Sequence, residues 1–420
     1  MIATDIKTKI PEGWNQIQFG QLFVERKKSR LKVEEAFLGG QYPFFTSGEK
    51  VLSRNDYLSD GSHLFLATGG VANAKFFNGK ASYSSDTYCI AGKDENTKLL
   101  FYTIWNNLSY INYHFFEGSG LKHLQKSDFK KFKILFPENP KEQQKIAEVL
   151  TTIDEAIEKT DAIIEKNKRI KQGLMQDLFR YGIDEHGNIR SEKTHKFKTV
   201  KIGNEEMLIP EEWEVATIPD ILKKQKNAMK IGPFGSQLKI EYLVNSGYKV
   251  YGQENAFNKD FSIGKRYINK KRFNLLKTCE LLSGDFIISM MGTIGQCAII
   301  PNNIERGIMD SHLIRLQINE QKFNKDLLWL LIEEYPLIKQ QIINLSVGGI
   351  MQGLSTKIIR QLMLMLPDIK EQDNITNLLL KISKVIRGEE VNKQKLLSLK
   401  RGLMEDLLTG TVRVNSLITN

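Results

Sequence analysis

Cysteine is scarce in this chain: three occur among 420 residues, and none stands in a CxxC pair. That usage argues against a disulfide framework and against a thiolate metal site. We therefore expect Cys89, Cys279 and Cys297 to be small hydrophobic residues of a cytoplasmic protein, kept in the reduced state.

Long apolar runs are also missing. IISMM (287–291) and LMLML (362–366) are among the longest, and both are far shorter than the roughly 20 residues that a membrane span requires. The first residues, MIATDIKTKIPEG, lack the apolar core of a secretion signal. We expect neither export nor a membrane partner.

Catalytic motifs are absent as well. No GxxxxGK[ST] phosphate loop and no metal-binding histidine spacing occurs. TGGVANAK (68–75) and GPFGSQL (232–238) are rich in glycine but lack the acidic partner of a dinucleotide site. The Asn-Pro-Pro-aromatic motif of amino-methyltransferases and the helicase motifs are missing too. The prediction is a non-catalytic chain that binds and positions other molecules, with no catalytic residue, metal or cofactor of its own.

Positive charge is what the chain has in excess. Sixty Lys and Arg face 49 Asp and Glu, for a formal net charge of +11. Such a balance favours a polyanionic partner, most often nucleic acid. The cations gather in KKQKNAMK (223–230) and in KRYINKKRFNLLK (265–277), where aromatic residues interleave. For either cluster alone, an ordinary solvated surface is an equal alternative.

The chain contains an internal repeat. Two pairs of segments match at an offset of 229 residues, and a third pair matches at an offset of 199: KQGLMQDLF (171–179) with KRGLMEDLL (400–408), KEQQKIAEVL (141–150) with KEQDNITNLL (370–379), and IPEGW (10–14) with IPEEW (209–213). The halves therefore share their ends and differ in their middles, of which the second is about 30 residues longer. This pattern predicts a duplicated frame that holds two different inserts.

The shared segments predict two long helices. Each is expected to begin at a polar cap with a glutamate three residues into the helix, and to end at a glycine: Asn139, Glu142 and Gly182 in the first, Asp368, Glu371 and Gly410 in the second. Each would be roughly 60 Å long at 1.5 Å per residue.

A narrow apolar heptad stripe follows each helix, from Ile146 to Leu178 in the first and from Ile375 to Leu407 in the second. So narrow a stripe suits a second helix, and a two-fold relation between the halves would make the two run antiparallel. The alternative is that each helix binds a separate protein. Glycine inside a helix costs roughly 1 kcal/mol, so a close crossing or a docking partner would explain two of them. We expect partner docking around Gly173, Met175, Gly402 and Met404.

The inserts, 15–117 and 214–347, carry short β-rich runs and close with helical patterns. The predicted fold class is α+β, with two mixed α/β domains separated by a pair of long antiparallel coiled-coil helices and a pseudo-two-fold internal repeat. The predicted boundaries are a first recognition domain (1–138), a first long helix (139–182), a connector (183–208), a second recognition domain (209–366), a second long helix (367–410) and a C-terminal tail (411–420).

This layout resembles the specificity (S) subunit of type I restriction-modification systems. The resemblance covers essentially the whole chain and is carried by motifs in a fixed order: IPEGW and IPEEW, LFPENPKEQQKIA and LMLPDIKEQDNIT, GLMQDLF and GLMEDLL, and the connector YGIDEHGNIRSEKTHKFK. TGGVANAKFF with SSDTYCI, and KIGPFGSQL with MGTIGQCAI, are also similar to segments of the recognition domains in that family. The second helix start, LPDIKEQ, is one residue shorter than LFPENPKEQ.

The resemblance implies sequence-specific binding to double-stranded DNA. Each recognition domain would read one part of a bipartite, asymmetric target, while the helix pair fixes the distance between the parts. Two methylation subunits, which carry S-adenosylmethionine and flip the target adenine, would dock on the helices. Restriction subunits, ATP-dependent translocases and nucleases that use magnesium, would join them.

Polar or basic residues of the glycine-broken loops are the predicted DNA contacts. They are Ser47, Thr68, Asn73, Lys75 and Lys80 in the first domain, and Lys230, Ser236, Gln237, Lys239, Gln253, Asn255, Lys265, Arg266 and Lys271 in the second.

Three other readings stay open. The chain could serve a methylation-only assembly of the same family, or it could be a coiled-coil scaffold with two protein-binding globular ends. A scaffold predicts little affinity for DNA and no steep dependence on salt. An autonomous enzyme is the third reading, and every missing motif argues against it.

Overall fold

The computed structural model describes residues 10–37, 39–93, 96–291, 295–346 and 354–418. The chain divides into two compact units. The first unit comprises the residues up to Ile164 together with those from Gly388 onward, and the second unit runs from Glu165 to Arg387. Each unit therefore contains one insert and a part of both long helices.

The elements up to the end of the first long helix follow in chain order. The strands are β1 (Trp14–Gln18), β2 (Phe23–Glu25), β3 (Tyr42–Phe45), β4 (Leu52–Arg54), β5 (Ser62–Ala67), β6 (Ala74–Asn78), β7 (Ser82–Tyr83), β8 (Thr87–Gly92), β9 (Phe116–Glu117), β10 (His123–Leu124) and β11 (Lys133–Pro137). The helices are α1 (Thr97–Asn106), α2 (Leu108–His114), α3 (Lys126–Lys131) and the long α4 (Pro140–Tyr181).

Within its described residues, the first unit contains two sheets and two strand pairs. The larger sheet has the order β2-β8-β5-β6 with antiparallel neighbours throughout. In the smaller sheet β3 lies between β4, to which it is antiparallel, and β7, to which it is parallel. β1 pairs with β11, and β9 with β10. Strand β5 reads SHLFLA and is buried at every position after the serine, as a nearly continuous apolar run predicts for a central strand.

The remaining elements follow the connector. The strands are β12 (Phe197–Ile202), β13 (Glu205–Pro210), β14 (Glu214–Thr217), β15 (Met229–Ile231), β16 (Leu243–Val244), β17 (Tyr248–Tyr251), β18 (Tyr267–Ile268), β19 (Phe286–Ser289), β20 (Cys297–Ile299), β21 (Gly307–Met309), β22 (Leu313–Leu316) and β23 (Met363–Leu366). The helices are α5 (Gln253–Asn258), α6 (Lys270–Leu275), α7 (Lys325–Glu334), α8 (Pro336–Ser346), α9 (Thr356–Gln361) and the long α10 (Ile369–Leu408).

The larger sheet of the second unit has the same connectivity as that of the first, and the smaller sheet has one additional strand, β16, which pairs with β18. The order β15-β22-β19-β20 is antiparallel throughout, like β2-β8-β5-β6. Strand β17 lies between an antiparallel neighbour, β18, and a parallel one, β21. β14 pairs with β23 as β1 pairs with β11. The second unit also contains the hairpin β12–β13, formed by the end of the connector and the residues after it.

The long helices begin at side-chain caps. The carboxamide oxygen of Asn139 accepts a hydrogen bond from the amide of Lys141 at 2.9 Å, and Asp368 accepts one from the amide of Lys370 at 2.9 Å. The glutamates at the third helical position do not complete a capping box as the sequence pattern predicts, because their carboxylates have other partners, described below. No helix in the part of the chain that is described is long and apolar enough to cross a membrane.

Within the first unit the two long helices run antiparallel. Lys393 Nζ lies 2.7 Å from Asp161 Oδ1, and Lys400 Nζ lies 2.6 Å from Asp154 Oδ1. From the first ion pair to the second, the residue number rises on α10 and falls on α4, so the two helices are antiparallel. Ion pairs of this kind set direction and register more than they add stability.

The apolar stripes of the helices are buried within both units. In the first unit, Ile146 and Leu150 of α4 share one hydrophobic core with Met404 and Leu407 of α10. In the second unit, one core joins residues from the end of α4 with residues from the start of α10: Met175, Leu178, Phe179, Ile375 and Leu379. This order of contacts is antiparallel as well.

The structure corrects two predictions about the helix ends. No other part of the described chain approaches Gly173 or Gly402, since a Cβ added at either position would meet nothing within 4 Å. A close helix crossing within the chain is therefore the wrong explanation of these glycines. Met175 and Met404 are 4% and 2% exposed, so these side chains are core residues and not outward docking residues.

Two glycines near the end of α10 should respond oppositely to alanine. Gly402→Ala should raise the apparent melting temperature, because it adds roughly 1 kcal/mol of helix propensity in open space. Gly410→Ala should lower it, because Gly410 has a φ of +70°, a conformation that costs other residues roughly 1–2 kcal/mol. Its new Cβ would also lie 2.8 Å from Pro11 Cγ. Thermal unfolding followed by circular dichroism measures both, and a destabilised Gly402→Ala variant would contradict the open surface.

Candidate nucleic-acid interface

Four of the five predicted DNA contacts in the first unit meet in one hydrogen-bond network. The hydroxyls of Ser47 and Thr68 both donate to the carbonyl of Asp86, that of Thr68 at 2.6 Å. The Thr68 amide donates to Ser47 Oγ at 3.1 Å, and Asn73 Nδ2 donates to the Ser47 carbonyl at 2.6 Å. These bonds hold the loop after β3 against the loop between β5 and β6.

Lys75 closes the same network from strand β6. Its ammonium group donates to the carbonyls of Thr46 and Gly48 at 3.2 and 2.6 Å and to Asn73 Oδ1 at 2.9 Å. Burial lowers the pKa of this lysine, against the opposing charges of Glu49 and Asp86. All three donor positions of the ammonium are in use, so in this structure Lys75 fixes the shape of the loops.

A third loop joins this edge of the first unit. The Gly70 amide donates to the Lys122 carbonyl at 2.9 Å, and the Leu124 amide donates to the Thr68 carbonyl at 3.0 Å. From helix α2, Asn112 Oδ1 accepts the Ala72 amide at 2.8 Å. The side chains that these loops leave exposed include three large ones, Val71, Tyr113 and Leu121, and charged ones such as Lys50 and Lys122. We call this region, residues 46–50, 68–75 and 112–124, the three-loop edge.

The fifth predicted contact of the first unit, Lys80, lies outside this network. It is exposed, and its ammonium lies 4.7 Å from the ring centre of Tyr57. A lysine over an exposed aromatic ring keeps its charge accessible to an anion.

Five of the nine predicted contacts in the second unit are exposed: Ser236, Gln237, Lys239, Lys265 and Lys271. Gly232 precedes the first three on a tight loop, where an added Cβ would overlap the Asp310 carbonyl. That close backbone approach explains why glycine stands there. Lys239 forms an exposed ion pair with Glu241. Lys230 is half-buried on strand β15, opposite Arg315.

The prediction that Asn255 contacts DNA is wrong, because this residue is buried. Its side chain is 1% exposed and spans the loop after α5. Oδ1 accepts the Gly252 amide at 2.9 Å, while Nδ2 donates to the carbonyls of Asp260 and Ile263 at 2.9 and 3.2 Å. Because its polar atoms are used inside the fold, Asn255 shapes the loop and cannot reach a base edge.

Arg266 and Gln253 lie beside that loop. Two carboxylates engage the Arg266 guanidinium, Glu254 Oε1 at 3.0 Å and Asp310 Oδ2 at 2.9 Å. Among the described residues, Gln253 Oε1 is buried without a hydrogen-bond partner. An unsatisfied buried acceptor of this kind is unusual in a folded protein.

Two arginines lie over aromatic rings at helix α6, and neither is among the predicted DNA contacts. The rings of Tyr248 and Phe273 are stacked at 3.9 Å between centroids. The Arg306 guanidinium lies 5.1 Å from the Phe273 centroid, and the Arg272 guanidinium lies 3.5 Å from that of Tyr242. Arg272 belongs to the basic run 265–277. Arg306 lies outside that run and is placed beside α6 by the tertiary structure, where its carbonyl accepts the Lys249 amide.

A family model identifies this chain. The model for the type I restriction modification DNA specificity domain matches residues 11–168 and 210–400. The chain belongs to this DNA specificity family. The two matches correspond to the two halves of the internal repeat.

Similar proteins carry the same description. The chain is 26% identical over 430 residues to the type I restriction enzyme MjaVIII specificity subunit of Methanocaldococcus jannaschii, covering 97% of this chain and 95% of that one. It is also 29% identical over 176 residues to the EcoDI specificity subunit of Escherichia coli, covering 42% of this chain and 39% of that one.

A solved structure shares the fold. The crystal structure of a type I restriction-modification S subunit from M. genitalium superposes with a TM-score of 0.62 at 15% identity and covers 96% of this chain and 98% of that chain. A structure from work on complex assembly and conformational transition of a type I system gives a TM-score of 0.53 at 12% identity, over 96% of this chain and all of the other.

For a member of the DNA specificity family, the second unit offers two kinds of basic residue. Lys265 and Lys271 are exposed and suit phosphate contacts, which add affinity without reading sequence. Arg266 is held by carboxylates, and an arginine so held can keep its neighbours in place for base contacts. In the first unit, the three-loop edge presents apolar side chains together with exposed lysines, Lys50 and Lys122, on a backbone held by polar side chains.

Two predicted contacts of the second unit should respond differently to alanine. Asn255→Ala should cost about 1–3 kcal/mol of stability, because it leaves buried backbone groups unpaired. Lys271→Ala should change stability by less than about 0.5 kcal/mol, because the lysine is exposed. Chemical denaturation of both variants measures the difference. Equal stabilities would refute the buried role of Asn255.

Proposed function

We propose that this chain is the non-catalytic DNA-recognition subunit of a type I restriction-modification enzyme and reads a bipartite, asymmetric DNA target. The observation that carries the proposal is that the two units share one sheet framework but present different loop surfaces. The larger sheet has the same strand order in both units, and the family model matches each half of the repeat. Their loops differ in length and chemistry, as two readers of different sequences require.

The exposed lysines of the second unit supply the affinity for phosphate in this proposal. Base edges are read by exposed polar side chains such as Gln237, at ~1–3 kcal/mol of discrimination for each good bidentate pair. In the first unit, the three-loop edge approaches the DNA, and its apolar side chains suit contacts with thymine methyl groups.

The long helices link the two reading events. α4 and α10 are each continuous across the boundary between the two units. We propose that this pair is an antiparallel coiled coil within a pseudo-two-fold repeat, and that its length sets the gap in the target. Target spacing in DNA-binding proteins generally follows from such fixed geometry.

The long helices also carry the proposed docking surface for two methylation subunits. Each unit leaves large apolar side chains exposed on them: Val391, Leu397 and Leu399 in the first, Ile170, Leu378 and Val385 in the second. Gly173 and Gly402 lie on open surface, where a partner can approach the backbone closely. In this assembly S-adenosylmethionine belongs to the methylation subunits, ATP and magnesium belong to the restriction subunits, and the complex works in the cytoplasm.

A methylation-only complex of the same family is the second candidate. It is distinguished from a full restriction enzyme by whether the neighbouring genes encode a restriction subunit. A protein scaffold with two binding ends is a third candidate. Family membership disfavours it, and an absence of salt-sensitive DNA binding would support it.

Methylation mapping tests the two-part reading. Co-expression with the adjacent methylation subunit should produce methylated adenines in one motif with two defined parts and a fixed unspecified gap. Replacing residues 15–117 by those of a relative should change only one part, because the second insert is untouched. Genome-wide detection of methylated adenine measures both. A motif without two parts, or a swap that alters both parts, would contradict the proposal.

Salt dependence tests the phosphate contacts. The double substitution Lys265→Ala with Lys271→Ala should reduce the slope of log affinity against log salt by about 2, since each phosphate contact contributes roughly 0.9. Titration of a random-sequence duplex with the methylation complex measures this slope. Lys193→Ala with Lys196→Ala in the connector is the matched control, because both lysines are exposed and belong to neither the proposed DNA contacts nor the proposed docking surface. An unchanged slope in the first variant would exclude these lysines from the interface.

A further inference from the structure

Each unit buries a glutamate from the first turn of a long helix. Glu142 of α4 is 1% exposed, and Glu371 of α10 is 5% exposed. A buried carboxylate is tolerated only with charged and hydrogen-bonding partners. The partners differ in chain position but have the same chemistry in the two units.

In the second unit, Glu371 receives four hydrogen bonds. Arg190 NH1 and NH2 donate to Oε1 and Oε2 at 2.5 and 3.1 Å, as a bidentate pair. Trp213 Nε1 donates to Oε2 at 3.0 Å, and the Ile183 amide donates to Oε1 at 2.8 Å. Arg190 also lies 3.1 Å from the Glu212 carboxylate. This cluster is the second clamp.

In the first unit, Glu142 is held in the same way. Arg413 Nε and NH2 donate to Oε1 and Oε2 at 2.6 and 2.8 Å. Trp14 Nε1 lies 3.4 Å from Oε1, and Arg413 NH1 donates to the Glu12 carbonyl at 2.5 Å. This cluster is the first clamp.

Both clamps join the same three parts of a unit. The tryptophan opens the recognition domain, immediately before or at the start of its first strand, and the glutamate starts one long helix. The arginine follows the end of the other long helix, in the connector for Arg190 and in the C-terminal segment for Arg413. The glycine that ends each long helix, Gly182 or Gly410, has a left-handed backbone conformation and lies against the tryptophan. A Cβ at Gly182 would lie 2.5 Å from Trp213 Cζ2, and one at Gly410 would lie 3.1 Å from Trp14 Cε2.

The ionisation of the arginines agrees with this geometry. Burial lowers the pKa of Arg190, but the hydrogen bonds and charge of Glu371 outweigh it, and the net shift is upward. The hydrogen bond to Glu142 raises the pKa of Arg413. Removing either arginine would leave a buried carboxylate without its counter-charge, which is far more disruptive than the loss of a surface ion pair.

The recognition sheets are connected to the clamps through the hydrophobic cores, since Trp14 shares one core with Leu66 of β5 and Trp213 shares the other with Ile288 of β19. In the first unit, β1 begins at Trp14 and pairs with β11, which leads into α4. In the second unit, β14 follows Trp213 and pairs with β23, which leads into α10. The clamp therefore holds together the start and the end of each recognition domain.

We propose that Arg413 and Arg190 are positioning residues for DNA reading, each acting on one part of the target. Arg413 sets the first recognition domain on its helices, and Arg190 sets the second. The inference rests on the proposed function. It assigns a role in reading the first part of the target to a residue near the other end of the chain, 271 positions from Glu142.

The test compares Arg413→Gln with Arg190→Gln in the complex with the methylation subunit, by genome-wide methylation mapping. The part of the motif read by each domain is first assigned by the exchange of residues 15–117. Arg413→Gln should reduce discrimination in the first part by roughly ten- to a hundredfold, the scale of losing about one good bidentate base contact, and leave the second part unchanged. Arg190→Gln should give the reverse.

Rescue variants separate positioning from folding. Glu142→Gln combined with Arg413→Gln should restore much of the discrimination, because two amides can hydrogen-bond without a buried charge. Arg413→Lys should restore less, since lysine cannot form the bidentate pair. If Arg413→Gln does not fold, the double variant carries the test, and a loss of both parts of its motif overturns the inference.

Other outcomes also decide. Equal loss of both parts in the single variants, or normal discrimination in both, overturns the positioning role. If the wild-type complex methylates no two-part motif, the proposed function fails before the clamps are tested. If the wild-type complex methylates a two-part motif but neither variant affects one part selectively, the proposed function stands and the positioning role is wrong.

Discussion

Burial of a carboxylate at the start of each long helix constrains much of the structure around it. A glutamate in that place needs a cation within hydrogen-bonding reach, and the chain supplies one from a segment distant in sequence, Arg413 for Glu142 and Arg190 for Glu371. Because each arginine follows the end of the opposite long helix, the two helices must be antiparallel within the unit. Their apolar stripes then meet in the same core as the recognition sheets.

The recognition domains illustrate how one framework accommodates two surfaces. The order of the larger sheet and the parallel strand pair of the smaller one are common to both units, whereas the loops above them are not. In the first unit, polar side chains hold three loops together, and the side chains that remain exposed are large apolar ones beside a few charged ones. In the second, exposed lysines and paired arginines surround an aromatic stack. Such a division lets the loops vary without altering the core, which suits the proposed recognition of two different sequences.

Much of the architecture was predictable from the sequence because it depends on periodic or repeated features. The heptad stripes, the caps at Asn139 and Asp368 and the repeated motifs are local signals, and the family match agrees with the resemblance that they carry. Individual side chains were harder. Lys75 and Asn255 look like DNA contacts in the sequence, yet both bind backbone carbonyls inside the fold. Met175 and Met404 were predicted to face a partner because they lie in the repeated motifs, yet both are buried.

The sequence by itself determined that there are two halves with one frame, where the long helices begin and end, and that the chain carries a positive excess suited to DNA. Those properties are properties of spacing and composition. Only the tertiary structure decided which polar groups are available at the surface, since a lysine or asparagine is free or engaged according to the backbone carbonyls that distant segments bring to it. It also decided the partners of Glu142 and Glu371, because a pair separated by 181 or 271 positions leaves no periodic trace in the sequence.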